Sequence, residues 1–216
     1  MEEELPKTDT LVKNTFELTP PTKEEKIEEY EKLKSVLEKY DIGEIVSDIL
    51  NLEWKEKVIV SDTDSEYGAD YKIPNKAYVN YSHGAWETMG IAHEMVHLIM
   101  YQNGWTENPK IAEYIEKHED LQDKTRMRTV GYPIEQMVAY LLMRDVGIKI
   151  SEKDSEINRE KVLSQYNKDW FTKILDKEYP TKHLKKLGKK IIDKWDERPK
   201  NISIINWIES ILEFPG

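Results

Sequence analysis

Between Trp86 and Asn103 the chain carries the stretch that most limits how it can fold. Its large side chains, among them Ile91, Met95, Leu98 and Ile99, make a strongly apolar helix, and Gly104 supplies its stop. A helix of that kind belongs in the core of a domain. Yet it also holds His93, Glu94 and His97, so two imidazoles and a carboxylate are expected inside a buried element.

The rest of the composition narrows what those groups can be doing. The 216 residues suit one domain, or one domain with an appendage, and six Trp and twelve Tyr supply material for a core. Acidic side chains outnumber basic ones 42 to 32, a net charge of −10, so a phosphate-neutralising surface is not expected and no nucleic-acid partner is assigned. The absence of cysteine removes disulfide scaffolds, thiolate metal sites, iron–sulfur clusters and cysteine nucleophiles together. The opening Met1-Glu2-Glu3-Glu4-Leu5-Pro6-Lys7 lacks the basic flank and apolar core of a signal peptide. No apolar run approaches the roughly 20 residues a bilayer span needs, and a cytoplasmic protein without membrane contact is expected.

Three regions follow along the chain. Residues 1–21 are polar and end in Thr19-Pro20-Pro21, an extended leader. Residues 22–150 form the main domain. Thr22 and Glu25 have capping-box spacing, followed by Ile27, Tyr30, Leu33, Leu37 and Tyr40 at helical period, then a short helix over 44–52. Lys57–Ser61 and Ala77–Tyr81 read as strands, with Pro74 marking a sheet edge. Helices are expected over 86–103, 108–124 and 134–144, the last stopped near Gly147. Residues 151–216 form a helical region packing on the domain, with stripes Leu163, Tyr166, Trp170, Ile174 and Leu184, Leu187, Ile191, Trp195. Such stripes are packing faces, and the lysines at 182, 185, 186, 189 and 190 read as a solvated face.

The chemistry lies in His93-Glu94-Met95-Val96-His97. Histidines four positions apart stand one helical turn apart on one face, about 6 Å along the axis. Two imidazole nitrogens can then reach one zinc ion at about 2.0–2.1 Å. Glu94, next to the first histidine, projects beside that face, where it can hold the metal's water and take its proton. A catalytic zinc site needs a third protein ligand and an open position. Glu113, Glu116, Glu119 and Asp120 share their faces with other charged residues and read as solvated, while His118 is ambiguous. Glu135 differs, because Val138, Ala139 and Leu142 follow it at helical spacing. A carboxylate on an apolar stripe is costly unless paired or metal-bound, which selects Glu135 as third ligand. The competing reading of Glu135 is a buried salt bridge with Arg144 or Arg128. Ala139 lets its helix lie close to the one carrying His93.

His93-Glu94-Met95-Val96-His97 followed by Glu135 on a second helix resembles the zincin metallopeptidases of the gluzincin arrangement. Ile91-Ala92-His93-Glu94 together with Ile134-Glu135-Gln136-Met137-Val138-Ala139-Tyr140-Leu141-Leu142-Met143 is closest to the ImmA/IrrE-type peptidases, over roughly residues 75–146. The helix-turn-helix domain often joined to that family is not recognisable here. The pentapeptide is also similar to that of SprT-like proteases, but their downstream His-Gly is missing, the one His-Gly here being His83-Gly84. The resemblance implies an α+β zincin-like fold: a small, mostly antiparallel sheet with the active helix beneath it, flanked by N- and C-terminal helices. It implies Zn2+ held by His93, His97 and Glu135, Glu94 as general base, a peptide or protein substrate, and peptide-bond hydrolysis. It further implies an edge strand that takes the peptide in extended form, a place that Ala77–Tyr81 would fill. Tyr132, His83 and Tyr140 lie near the motifs as possible oxyanion donors. The alternative to an enzyme is a zinc-stabilised binding or regulatory module, which has no need of Glu94.

Overall fold

A computed structural model describes residues 15–63, 69–82, 87–122, 131–153 and 157–212. The fold is α+β and mostly helical. Strand β1 (Phe16–Leu18) and a single 3-10 turn (Glu24–Lys26) lead into α1 (Ile27–Lys39) and α2 (Ile42–Leu50). Then come β2 (Val58–Asp62), β3 (Ala69–Lys72), β4 (Lys76–Val79) and α3 (Glu87–Gln102). A 3-10 turn (Trp105–Glu107), α4 (Pro109–Glu116), α5 (Glu119–Gln122) and α6 (Tyr132–Ser151) follow. The chain closes with α7 (Arg159–Gln165), α8 (Lys168–Glu178), α9 (Lys182–Trp195) and α10 (Ile204–Ile211).

Short polar residues start the helices as their chemistry requires. Asp41, Asn108, Asn158, Asn167, Thr181 and Ser203 each accept a backbone N–H in the first turn of α2, α4, α7, α8, α9 and α10. The capping box expected at Thr22 does not form. The chain enters α1 through the 3-10 turn instead, and Lys26, at the N-cap, makes no side-chain cap. Lys26 is nonetheless buried, its ammonium 2.9 Å from both Asp62 carboxylate oxygens, which ties this entry to β2.

The sheet order is β1-β2-β4-β3. β1 pairs parallel with β2 (Phe16 opposite Val58), β2 parallel with β4 (Val60 opposite Ala77), and β4 antiparallel with β3 (Ala77 opposite Tyr71). The sheet is therefore mixed, with two of its three pairings parallel, rather than mostly antiparallel. Parallel pairing arises because β1 and β2 are joined through α1 and α2, a crossover and not a hairpin. β4 is paired on both sides, so Ala77–Tyr81 does not provide an edge. The strand that ends the order on this side is β3, and Pro74 sits in the turn between β3 and β4.

Helix α3 lies at the centre, packed against β3 and β4 on one side and along α6 on the other, with α1 and α2 also against it. Every residue from Ile91 to Met100 is buried. α6 in turn packs on α7 and α9, so the C-terminal helices brace the partner of α3. α6 does not stop at Gly147 but runs through it to Ser151. That glycine marks a close approach: a Cβ there would lie 2.9 Å from Met89 Sδ and from a Val162 methyl. The stripe Leu184, Leu187, Ile191 and Trp195 is buried. Leu163 is 42% exposed, because the helix carrying it ends at Gln165 and Trp170 belongs to a separate one. Among the described residues, no helix is long and apolar enough to cross a membrane.

Candidate functional site

The two central helices bring several buried polar and ionisable side chains to one place. α3 contributes His93 and His97, with Glu94 next to His93 in the chain; α6 contributes Glu135, Gln136 and Tyr140. All but Tyr140 are buried. Their convergence follows from sequence spacing on both helices: His93 and His97 share a face, as do Gln136 and Tyr140. Gly131, at φ +78°, turns the chain into α6 so that Glu135 lies in its first turn.

The imidazole rings of His93 and His97 stand 5.3 Å apart at 60°. Their Nε2 atoms both approach one atom, the amide oxygen of Gln136, at 3.3 and 3.1 Å. Behind them, each Nδ1 meets an acceptor: Met143 Sδ at 3.1 Å for His93 and Glu135 Oε2 at 2.8 Å for His97. The other Glu135 oxygen accepts the indole N–H of Trp105 at 2.7 Å. The rings of Tyr71, from β3, and Tyr132, from α6, both lie parallel to that of His97, with centroids 4.4 and 5.3 Å away. From the Gln136 amide nitrogen a hydrogen bond of 2.8 Å runs to the Tyr140 hydroxyl, which reaches both Glu178 oxygens at 3.0 and 2.9 Å.

Burial dominates the electrostatics. It pushes the His93 pKa down to about 3, with His97 adding to the effect and the Gln136 contact opposing it, so His93 is neutral. It pushes the Glu94 carboxyl up to about 8, helped by the nearby Glu87 carboxylate. Glu94 is only 5% exposed and makes no side-chain hydrogen bond among the described residues. Burial also raises Tyr140 and Glu178.

Of the residues expected from sequence, His93, His97 and Glu135 thus come together, with Glu94 on the same helix. Glu135 reaches His97 at the nitrogen turned away from the point both imidazoles share. Among the described residues, no three His, Cys, Asp or Glu side chains are grouped as ligands for a metal ion, and the third group facing the two Nε2 atoms is an amide. Arg144, the salt-bridge alternative for Glu135, pairs instead with Asp145 and Asp196, and Arg128 lies outside the described residues. His118 takes part in a different cluster: it stacks on His183, with Tyr114 and Asp120 beside them. Of the possible oxyanion donors, Tyr132 and Tyr140 border the histidines and His83 lies outside the described residues.

Sequence reasoning missed Gln136, Trp105 and Tyr71. The signal for Gln136 was its i,i+4 pairing with Tyr140 within an otherwise apolar helix. Trp105 and Tyr71 reach the site only through tertiary structure. Compared with family models, with curated proteins and with solved structures, the chain matches none.

Proposed function

We propose that the chain is a zinc-dependent peptide hydrolase of zincin-like organisation, with His93 and His97 as metal ligands and Glu94 as general base. The observation that carries this reading is the convergence of two buried imidazole Nε2 atoms on one point, 3.3 and 3.1 Å from the same oxygen. The donor set fits zinc, which takes neutral imidazole nitrogen readily and tolerates a mixed nitrogen–oxygen shell. Bound there, zinc would supply Lewis acidity toward a carbonyl oxygen and acidify a water.

The remaining work falls to the chain's own side chains. Glu135 fixes the ring of His97 from behind, and Trp105 in turn fixes Glu135, an arrangement that sets ring orientation and ligand basicity. Glu94, in its carboxylate form, accepts a proton from the attacking water and returns it to the leaving amine. Tyr132 and Tyr140, beside the two imidazoles, exclude bulk water from them.

Glu94→Gln tests the mechanism. Its expected outcome is loss of hydrolysis of a peptide library with zinc binding retained; activity persisting in that variant contradicts the role of Glu94. A non-catalytic zinc module gives a different result: chelation lowers the melting temperature of the wild type, and no peptide is cleaved.

A further inference from the structure

The hydrogen bonds around His93 and His97 have directions, and the directions decide which atoms carry lone pairs. Met143 Sδ, an acceptor, lies 3.1 Å from His93 Nδ1 and suits the tautomer with its proton on that nitrogen. A carboxylate likewise only accepts, so Glu135 Oε2 at 2.8 Å puts the proton of His97 on Nδ1. A neutral imidazole has one N–H. In the tautomers with Nδ1–H, both Nε2 atoms present lone pairs.

On the opposite side, the order is set by Glu178. Its carboxylate takes the single proton of the Tyr140 hydroxyl at 2.9–3.0 Å. Tyr140 can then only accept from Gln136, so the amide N–H2 faces Tyr140 and the amide oxygen faces the histidines. Two carboxylate-anchored hydrogen-bond chains, through His97 and through Tyr140, and the Met143 contact of His93 thus direct three atoms onto one buried spot: His93 Nε2, His97 Nε2 and Gln136 Oε1. Acceptors facing acceptors repel, and a cation between them removes the conflict.

We infer that Gln136 Oε1 is the third metal ligand, that Glu135 is a positioning residue acting through His97, and that Tyr140 and Glu178 position Gln136. This rests on the zinc reading above. It departs from the assignment of Glu135 that the motif resemblance implies, and it leaves one carboxylate behind the site rather than in it.

The test is zinc titration by calorimetry into the metal-free full chain, with visible absorption of the cobalt(II)-substituted protein as second readout. In the wild type one zinc per chain is expected. Glu135→Gln keeps an acceptor for His97 Nδ1–H and should weaken zinc about tenfold, the range of an outer-shell change. Gln136→Leu removes a ligand and should weaken it more than about 100-fold, beyond that range. Gln136→Glu should restore or tighten binding and shift the cobalt spectrum, and this variant decides the matter if Gln136→Leu fails to fold. The inference is overturned if Gln136→Leu binds zinc like the wild type while Glu135→Gln loses it, or if Gln136→Glu leaves affinity and spectrum unchanged. A wild type that takes up no zinc overturns the metal reading itself, which distinguishes the two failures.

Discussion

The described residues hold two histidine pairs, each with a carboxylate and tyrosines, and they are built in opposite ways. In the core, the rings of His93 and His97 are inclined at 60°, and their Nε2 atoms meet at one oxygen. Between α4 and α9, the rings of His118 and His183 lie flat on each other, 4.2 Å apart at 6°. Stacked rings send their nitrogens outward in separate directions. His118 Nδ1 goes to the Tyr114 carbonyl at 2.7 Å, His183 Nδ1 to Asp120 at 3.0 Å, and His183 Nε2 to the Tyr114 hydroxyl at 2.9 Å. Thr181, the cap of α9, also donates to Asp120. Exposure differs as well: the His183 side chain is 30% exposed and that of His97 only 1%. Two histidines and an acid are thus not a metal site by composition. Orientation separates a pair that converges from a pair that staples α9 to α4 and α5.

The comparison can be broken by substitutions in either cluster. The largest effect is expected for His97→Ala, which strips the buried Glu135 carboxylate of a donor and should cost about 3 kcal/mol or more of unfolding free energy in urea denaturation of metal-free protein. Trp105→Phe keeps the ring but removes the N–H that Glu135 accepts; a loss of about 2 kcal/mol is expected. His183→Ala breaks contacts that water can replace and should cost about 1 kcal/mol. If His183→Ala proves as damaging as His97→Ala, the distinction between a desolvated cluster and a solvated staple fails.

What could be read from the sequence follows the same division between local and distant causes. α3 was legible because its apolar period, its stop at Gly104 and its histidine spacing all sit within one helix. Glu135 was legible as a buried carboxylate because its own helical neighbours are apolar. Its partners were not, since His97 Nδ1 and the Trp105 indole come from 38 and 30 residues away. The short strands β1 and β3 escaped notice for a related reason. Three and four residues carry little periodicity, and β1 is defined by pairing with a strand beyond two helices. Gly147 looked like a helix end because glycine commonly is one; in the fold it is the gap that lets Met89 and Val162 approach α6.

Zinc content of the purified chain, measured by elemental analysis beside a His93→Ala/His97→Ala variant and a His118→Ala/His183→Ala variant, tests the central claim most directly. The expected result is one zinc per chain in the wild type, retained when the stacked pair is removed and lost when the converging pair is removed. A wild type free of zinc, or zinc that survives the loss of His93 and His97, would contradict it.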